Sequence, residues 1–206
     1  MNALKKYYKK SIRFLNEDSF LSWIANIALA FVLIRFIVYP LLGLIFATEY
    51  PIVAVVSGSM EHSGSFEEWW QSSAYIDGER VTQEEFYSHY SITREDFEDY
   101  SFPDGFNTGD IMVLRGTPPD EIERGDIIVF QSPGREPIIH RVIENNLNEG
   151  QVTFTTKGDA NPVIYDFERD VPEEDVIGKA IMRIPFLGYV KIWFFAIIEF
   201  FAGVFT

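Results

Sequence analysis

The chain has no cysteine and only three histidines, His62, His89 and His140, among its 206 residues. The first absence excludes disulfide scaffolds, cysteine nucleophiles and thiolate metal sites; the second leaves a multi-histidine metal centre short of ligands. No metal and no other cofactor is expected. Cations are scarce too, 17 Lys and Arg against 31 Asp and Glu, for a formal net charge of −14. That balance excludes a nucleic-acid partner, because neutralising phosphates needs clustered Lys and Arg. What the chain has in abundance is apolar surface: 47% of residues are hydrophobic and 16% aromatic, too apolar for a disordered chain. The length accommodates one soluble domain of ordinary size together with membrane segments.

Charge is unevenly placed. Residues 1–20 form a basic leader, with Lys5, Lys6, Lys9, Lys10 and Arg13 against Glu17 and Asp18. From 21 to 47 the only formal charge is Arg35. At ~1.5 Å rise per residue, ~20 apolar residues cross a bilayer core, so 21–47 is expected to be a transmembrane anchor. Arg35 would then lie near the far end, where its stem can snorkel outward, and Pro40 and Gly43 are expected to kink or end the helix. A basic leader ahead of a span puts the N-terminus in the cytoplasm and everything after residue 50 outside. A removable secretory signal also begins basic and turns apolar, but this run is long, and no small-x-small cleavage site closes it within ~30 residues. Residues 184–206 are apolar as well, yet hold Pro185, Gly188, Lys191 and Glu199. A mid-bilayer acid or lysine costs ~2.5–3.5 kcal/mol, so an interfacial helix and a second span both stay open there.

Between these ends the pattern reads as mainly β. Residues 51–56, 111–114, 126–131, 137–143 and 152–156 are short and rich in Val, Ile and Phe. Turn clusters such as Ser132-Pro133-Gly134 and Asn145-Asn146 bound them. Two hairpins follow, 126–131 with 137–143 and 137–143 with 152–156. Residues 61–108 differ, with twelve acids, two arginines and eleven aromatics, and short helices are expected near 84–87 and 95–97. The stretch reads as an acidic, partly helical insertion packed on its aromatics, or else as a lid or docking surface.

Three segments carry the residue types of acyl-transfer chemistry. Ser57-Gly58-Ser59-Met60 follows the first predicted strand and places a hydroxyl in a Gly-containing turn, as a nucleophile requires. Ser-Gly turns are also ordinary connectors. In Ile138-Ile139-His140-Arg141-Val142-Ile143, alternation sets Ile138, His140 and Val142 on one face and Ile139, Arg141 and Ile143 on the other. His140 should therefore be at least partly buried, as a core histidine or as a base that takes a serine proton near neutral pH. Lys157-Gly158-Asp159-Ala160-Asn161-Pro162, with Asp166 beyond, is good turn chemistry and also offers carboxylates to orient an imidazole.

In this order, the segments resemble the signature boxes of type I signal peptidases of the archaeal and endoplasmic-reticulum branch. That branch has histidine where the bacterial branch uses lysine. The boxes are Ser57-Gly58-Ser59-Met60-Glu61, Arg124-Gly125-Asp126-Ile127-Ile128-Val129, His140-Arg141-Val142 and Lys157-Gly158-Asp159. Ile177-Gly178-Lys179 and Pro185-Phe186-Leu187-Gly188-Tyr189 are similar to the closing strand and C-terminal segment. The resemblance covers residues 20–60 and 108–190. It implies a signal-peptidase-like β domain over 48–60 and 109–183, behind the anchor and interrupted by the insertion. It implies a membrane-bound serine endopeptidase that removes signal peptides from exported precursors. Ser59 would be the nucleophile and His140 the base, Asp166 the orienting carboxylate with Asp159 as alternate, and Ser57 and Ser59 the oxyanion donors. Secretory precursors and membrane lipid are then the partners, and association with the translocation channel is open to it. Two departures stand out: His62-Ser63-Gly64 and the insertion follow the serine box, where the family has a proline and a short path to the next Gly-Asp. Asp166 also lies seven residues after Asp159 instead of about six. From 50 to 59 the chain reaches at most ~30 Å, so the serine would stay near the outer membrane face. The competing class is a non-catalytic, membrane-tethered β domain that binds a partner through its acidic aromatic insertion.

Overall fold

In the computed structural model, which describes residues 2–132, 136–148, 151–190, 192–193 and 196, the chain divides into two compact units, Met1–Ile45 and Phe46–Thr206. The first is helical: α1 covers Asn2–Leu15 and α2 covers Phe20–Leu33, capped where Ser19 Oγ accepts the Ser22 amide at 3.2 Å. A π-helical turn, Ile34–Val38, and α3, Tyr39–Phe46, continue it. Phe20–Phe46 is thus one helical run of 27 residues with mean hydropathy 2.4, long and apolar enough to cross a membrane. Pro40 does not end the helix. The turn just before it is widened, with the Tyr39 amide donating back to the Ile34 carbonyl, and so absorbs the hydrogen bond that proline cannot make.

The second unit is built on a seven-stranded antiparallel sheet in the order β1-β4-β9-β5-β6-β7-β8. Its strands are β1 Ile52–Ala54, β4 Ile111–Arg115, β5 Ile127–Phe130, β6 Ile138–Asn148, β7 Gln151–Lys157, β8 Val171–Pro172 and β9 Val176–Ile184. Both expected hairpins form, β5 with β6 and β6 with β7. Asn145 and Asn146 are not a turn; β6 runs through them, paired with Phe154 and Thr153 of β7. The Pro133-Gly134 part of the other expected turn lies outside the described residues, as does most of 184–206. Alternation along β6 sends Ile138 and Val142 to one core, with Phe130 and Phe154, and Ile139 to another, with Val129 and Met112.

The acidic stretch contributes α4 Phe66–Trp70, the hairpin β2 Ser73–Ile76 and β3 Glu79–Thr82, α5 Gln83–His89 and α6 Arg94–Asp99. The hairpin was not expected, although its Asp77-Gly78 corner, with φ of 52° and 86°, is the dipeptide such a two-residue turn selects. Several acids here have a local task. Glu68, Glu85 and Asp96 close capping boxes with Ser65, Thr82 and Thr93 at the three helix starts. The aromatics turn inward: Trp69, Trp70, Phe86, Tyr87 and Phe97 are buried in one cluster that includes Ile143 of β6 and Ile164. The insertion therefore shares its core with the β sheet.

Candidate active site

Ser59 stands in the turn that leaves β1 and is fixed from both sides. The next residue, Met60, is fully buried, and its carbonyl accepts the Phe106 amide at 3.0 Å. The carbonyl of Ser59 accepts the Ala160 amide at 2.8 Å. His140 sits on β6 opposite Ile128 of β5, only 4% exposed. These two anchors, 81 residues apart in the chain, bring Ser59 Oγ within 3.0 Å of His140 Nε2. Ser57 Oγ lies 3.3 Å from Ser59 Oγ. Ser59 and His140 line a cleft of about 420 Å³ whose walls include Ala54, Val56, Ile138 and Phe167.

The carboxylate at the histidine is neither of the two expected. Glu168 Oε1 lies 2.5 Å from His140 Nδ1, and Glu168 is fully buried. Asp166 opens the short 3-10 turn Asp166–Glu168 and is exposed; two residues later the chain points inward, which delivers Glu168 instead. Asp159, just past the end of β7, is bonded elsewhere. Neighbouring strand residues face opposite ways, and Asp159 pairs with Arg141, the residue after the histidine. Arg141 holds it with two bonds, Nε to Oδ1 at 3.0 Å and Nη2 to Oδ2 at 2.7 Å, and His62 Nε2 reaches Oδ2 at 3.1 Å. Burial alone would raise the Asp159 carboxyl, but the Arg141 charge and the bonds from His62 and Arg141 prevail and hold it well below the usual carboxylate range. Arg141 also donates to the carbonyls of Ser101, Gly125 and Phe102, so the pair is fully bonded in a dry interior.

Segment 157–160 lies between this site and the insertion. Gly158 is packed so tightly that a Cβ there would stand 2.8 Å from both His140 Nε2 and the Ser59 carbonyl. On its other side, Trp69 Nε1 donates to the Asp159 carbonyl at 3.1 Å, and Tyr87 OH donates to Asp159 Oδ1 at 3.4 Å. Lys157 is buried, with Nζ donating to Gln83 Oε1 at 3.0 Å and to the Gly158 carbonyl at 3.2 Å; desolvation lowers its pKa to about 8 against the pull of Asp159 and Glu168. Its ammonium is occupied by these acceptors, and Lys179 is engaged with Asp126 at 2.6 Å. His62, stacked on Trp69 with ring centres 3.7 Å apart, joins the same network. Sequence reading missed Glu168, Arg141, His62 and Gln83. Only Arg141 carried a signal, a lone cation in a strand whose two faces are both apolar.

Comparison with known proteins supplies a context for this arrangement. No family model matches the chain. It is 36% identical over 99 residues to the signal peptidase complex catalytic subunit SEC11C of Homo sapiens, a match covering 45% of this chain and 52% of that protein. The chain thus spans about half the length of that mammalian relative. The signal peptidase complex catalytic subunit SEC11 of Scheffersomyces stipitis is 28% identical over 164 residues, covering 76% of this chain and 73% of the relative. That of Plasmodium falciparum is 24% identical over 205 residues, covering 94% and 87%.

Proposed function

We propose, from its similarity to signal peptidase complex catalytic subunits, that the chain is a type I signal peptidase: a membrane-anchored serine endopeptidase that removes N-terminal signal peptides from exported precursors. The observation that carries the reading is the 3.0 Å contact between Ser59 Oγ and His140 Nε2 at an open cleft. With a carboxylate against Nδ1, the ring keeps its proton on that nitrogen and leaves the Nε2 lone pair for the Ser59 hydroxyl. Ser59 Oγ attacks the scissile carbonyl as His140 takes its proton. The imidazolium, stabilised by Glu168, then protonates the leaving amine. Water, deprotonated by the same nitrogen, releases the signal peptide from the acyl-enzyme. The Ser57 hydroxyl and the Ser59 amide are the oxyanion donors of this reading, and such a donor is worth ~2.7–4 kcal/mol.

The substrate lies extended along the cleft. β1 ends the sheet order, so its outer edge is a template for an added strand, and Ala54, Val56 and Ile138 offer shallow apolar contacts suited to small side chains. Phe20–Phe46 is the anchor, with the basic leader cytoplasmic and the β unit on the opposite side. The relatives are named as subunits of a complex, so partner subunits and a neighbouring translocation channel belong to this reading too. The test is cleavage of a signal-bearing precursor by the detergent-purified chain. We expect a product cut after the signal and its loss in Ser59→Ala; unimpaired cleavage by Ser59→Ala removes the nucleophile assignment.

A further inference from the structure

Helix α1 divides its surface cleanly. Lys5, Lys9 and Arg13, with Lys6 and Lys10, occupy one arc; Tyr7, Tyr8, Ile12, Phe14 and Leu15 occupy the other. No acid falls in this helix, and among the described residues none of the five cations has an ion-pair partner. The apolar arc is equally bare, with Tyr7 73%, Tyr8 68%, Ile12 40% and Phe14 38% exposed. Such a helix has little reason to form in water. It is near the length at which isolated helices are marginal, and its cations repel at i,i+4 spacing. It is also not the start of the span. The chain breaks at 16–19, and the corner is pinned where Ser22 Oγ and Asn26 Nδ2 both donate to the Leu15 carbonyl, at 2.9 and 2.8 Å. Ser22 is buried at that corner.

We propose that α1 is an interfacial helix that lies on the anionic lipid surface of the membrane its own chain crosses, Tyr7, Tyr8, Ile12 and Phe14 in the acyl boundary and the five cations among the headgroups. The inference rests on the reading of Phe20–Phe46 as a span. Two features identify the occupant. The four-residue corner ties α1 to the point where the span would leave the bilayer, so a lipid surface is the nearest large partner. The unpaired cations complement acidic headgroups, and the apolar arc complements the lipid tails just beneath them.

The absence of cysteine makes the test direct. Tyr8→Cys and Lys9→Cys chains, each labelled with an environment-sensitive fluorophore, are reconstituted full length in phosphatidylcholine vesicles with and without phosphatidylglycerol. With the acidic lipid, we expect the label at 8 to be several-fold better protected from an aqueous quencher than the label at 9. That protection should fall in phosphatidylcholine alone, and again when Lys5, Lys6, Lys10 and Arg13 are changed to Gln. Equal quenching at 8 and 9 in the mixed vesicles overturns the proposal, and protection that ignores the acidic lipid overturns the choice of surface. A label at Val32→Cys separates the two readings: if it too is quenched from water, the span itself is wrong.

Discussion

Glu168 touches His140 Nδ1 with the same carboxylate oxygen that accepts the Gly158 amide, at 2.5 and 3.1 Å, while its other oxygen takes the Tyr165 amide at 2.7 Å. A carboxylate anchored by two backbone amides, one on each oxygen, cannot easily swing away from the ring beside it. Glu168→Gln keeps the size but offers an amide that can face Nδ1 with either end, and the tautomer is no longer enforced. We expect kcat for precursor cleavage to fall by ~10³–10⁴-fold with the fold intact. Asp166→Asn, two residues earlier and exposed, should stay close to the parent. The reverse ranking in a kcat comparison would return the orienting role to Asp166.

Gly158 sets the floor under the Ser59–His140 contact. A methyl at its Cβ position meets His140 Nε2 and the Ser59 carbonyl, both at 2.8 Å, and the second of these is backbone that cannot rotate aside. Gly158→Ala must therefore push serine and imidazole apart. A displacement near 1 Å at reacting groups costs ~10²-fold in rate, and that loss in kcat is the expected result. An unchanged melting temperature alongside it would locate the damage in geometry; full activity would mean that segment 157–160 gives way freely.

Much of this organisation was legible in the sequence. The charge gap after Asp18 marked the helical run, and period-two alternation placed His140 and Arg141 on opposite faces of β6. The serine turn after β1 was readable from its Ser-Gly composition. What was hidden depends on contacts far apart in sequence. Which carboxylate reaches His140 turns on the two-residue step between Asp166 and Glu168, and no local pattern records that. Asp159 looked available because sequence spacing does not show that Arg141 has already claimed it. The insertion looked separable by composition, yet its aromatics close over Ile143 and Ile164, contacts that only the folded chain brings about.

Lys157 ties pH to stability. Its pKa is about 8 in the folded chain and returns to an ordinary lysine value near 10.4 on unfolding. Between those values the unfolded chain binds more protons, so stability should rise as pH goes from about 8 to about 10, by at most ~3 kcal/mol. Below 8 the buried ammonium is a standing penalty that changes little with pH. In thermal melts of the detergent-solubilised chain across this range, Lys157→Met should flatten the rise. A parent curve already flat there would mean that Asp159, Glu168 and Gln83 keep the lysine charged at little expense.

Gln83 gives the insertion a hold on the site without entering the cleft. Its carbonyl accepts from Lys157 Nζ at 3.0 Å and its amide donates to the Asp159 carbonyl at 3.4 Å, so it grips the strand end that carries Gly158. Removing it takes one of three acceptors from a buried ammonium, leaving the Gly158 and Asp159 carbonyls, and loosens that end, for a stability loss of ~1–3 kcal/mol. If the grip sets the Ser59–His140 geometry, Gln83→Ala lowers kcat by ~10-fold and leaves KM for the precursor unchanged, because Gln83 does not line the cleft in which the proposed function seats the substrate. Gln83→Glu, which can still accept from Lys157 but no longer donates to Asp159, should recover most of the stability and only part of the rate. A change confined to KM would instead make the insertion part of the substrate surface, and a loss of stability with kcat intact would reduce Gln83 to packing.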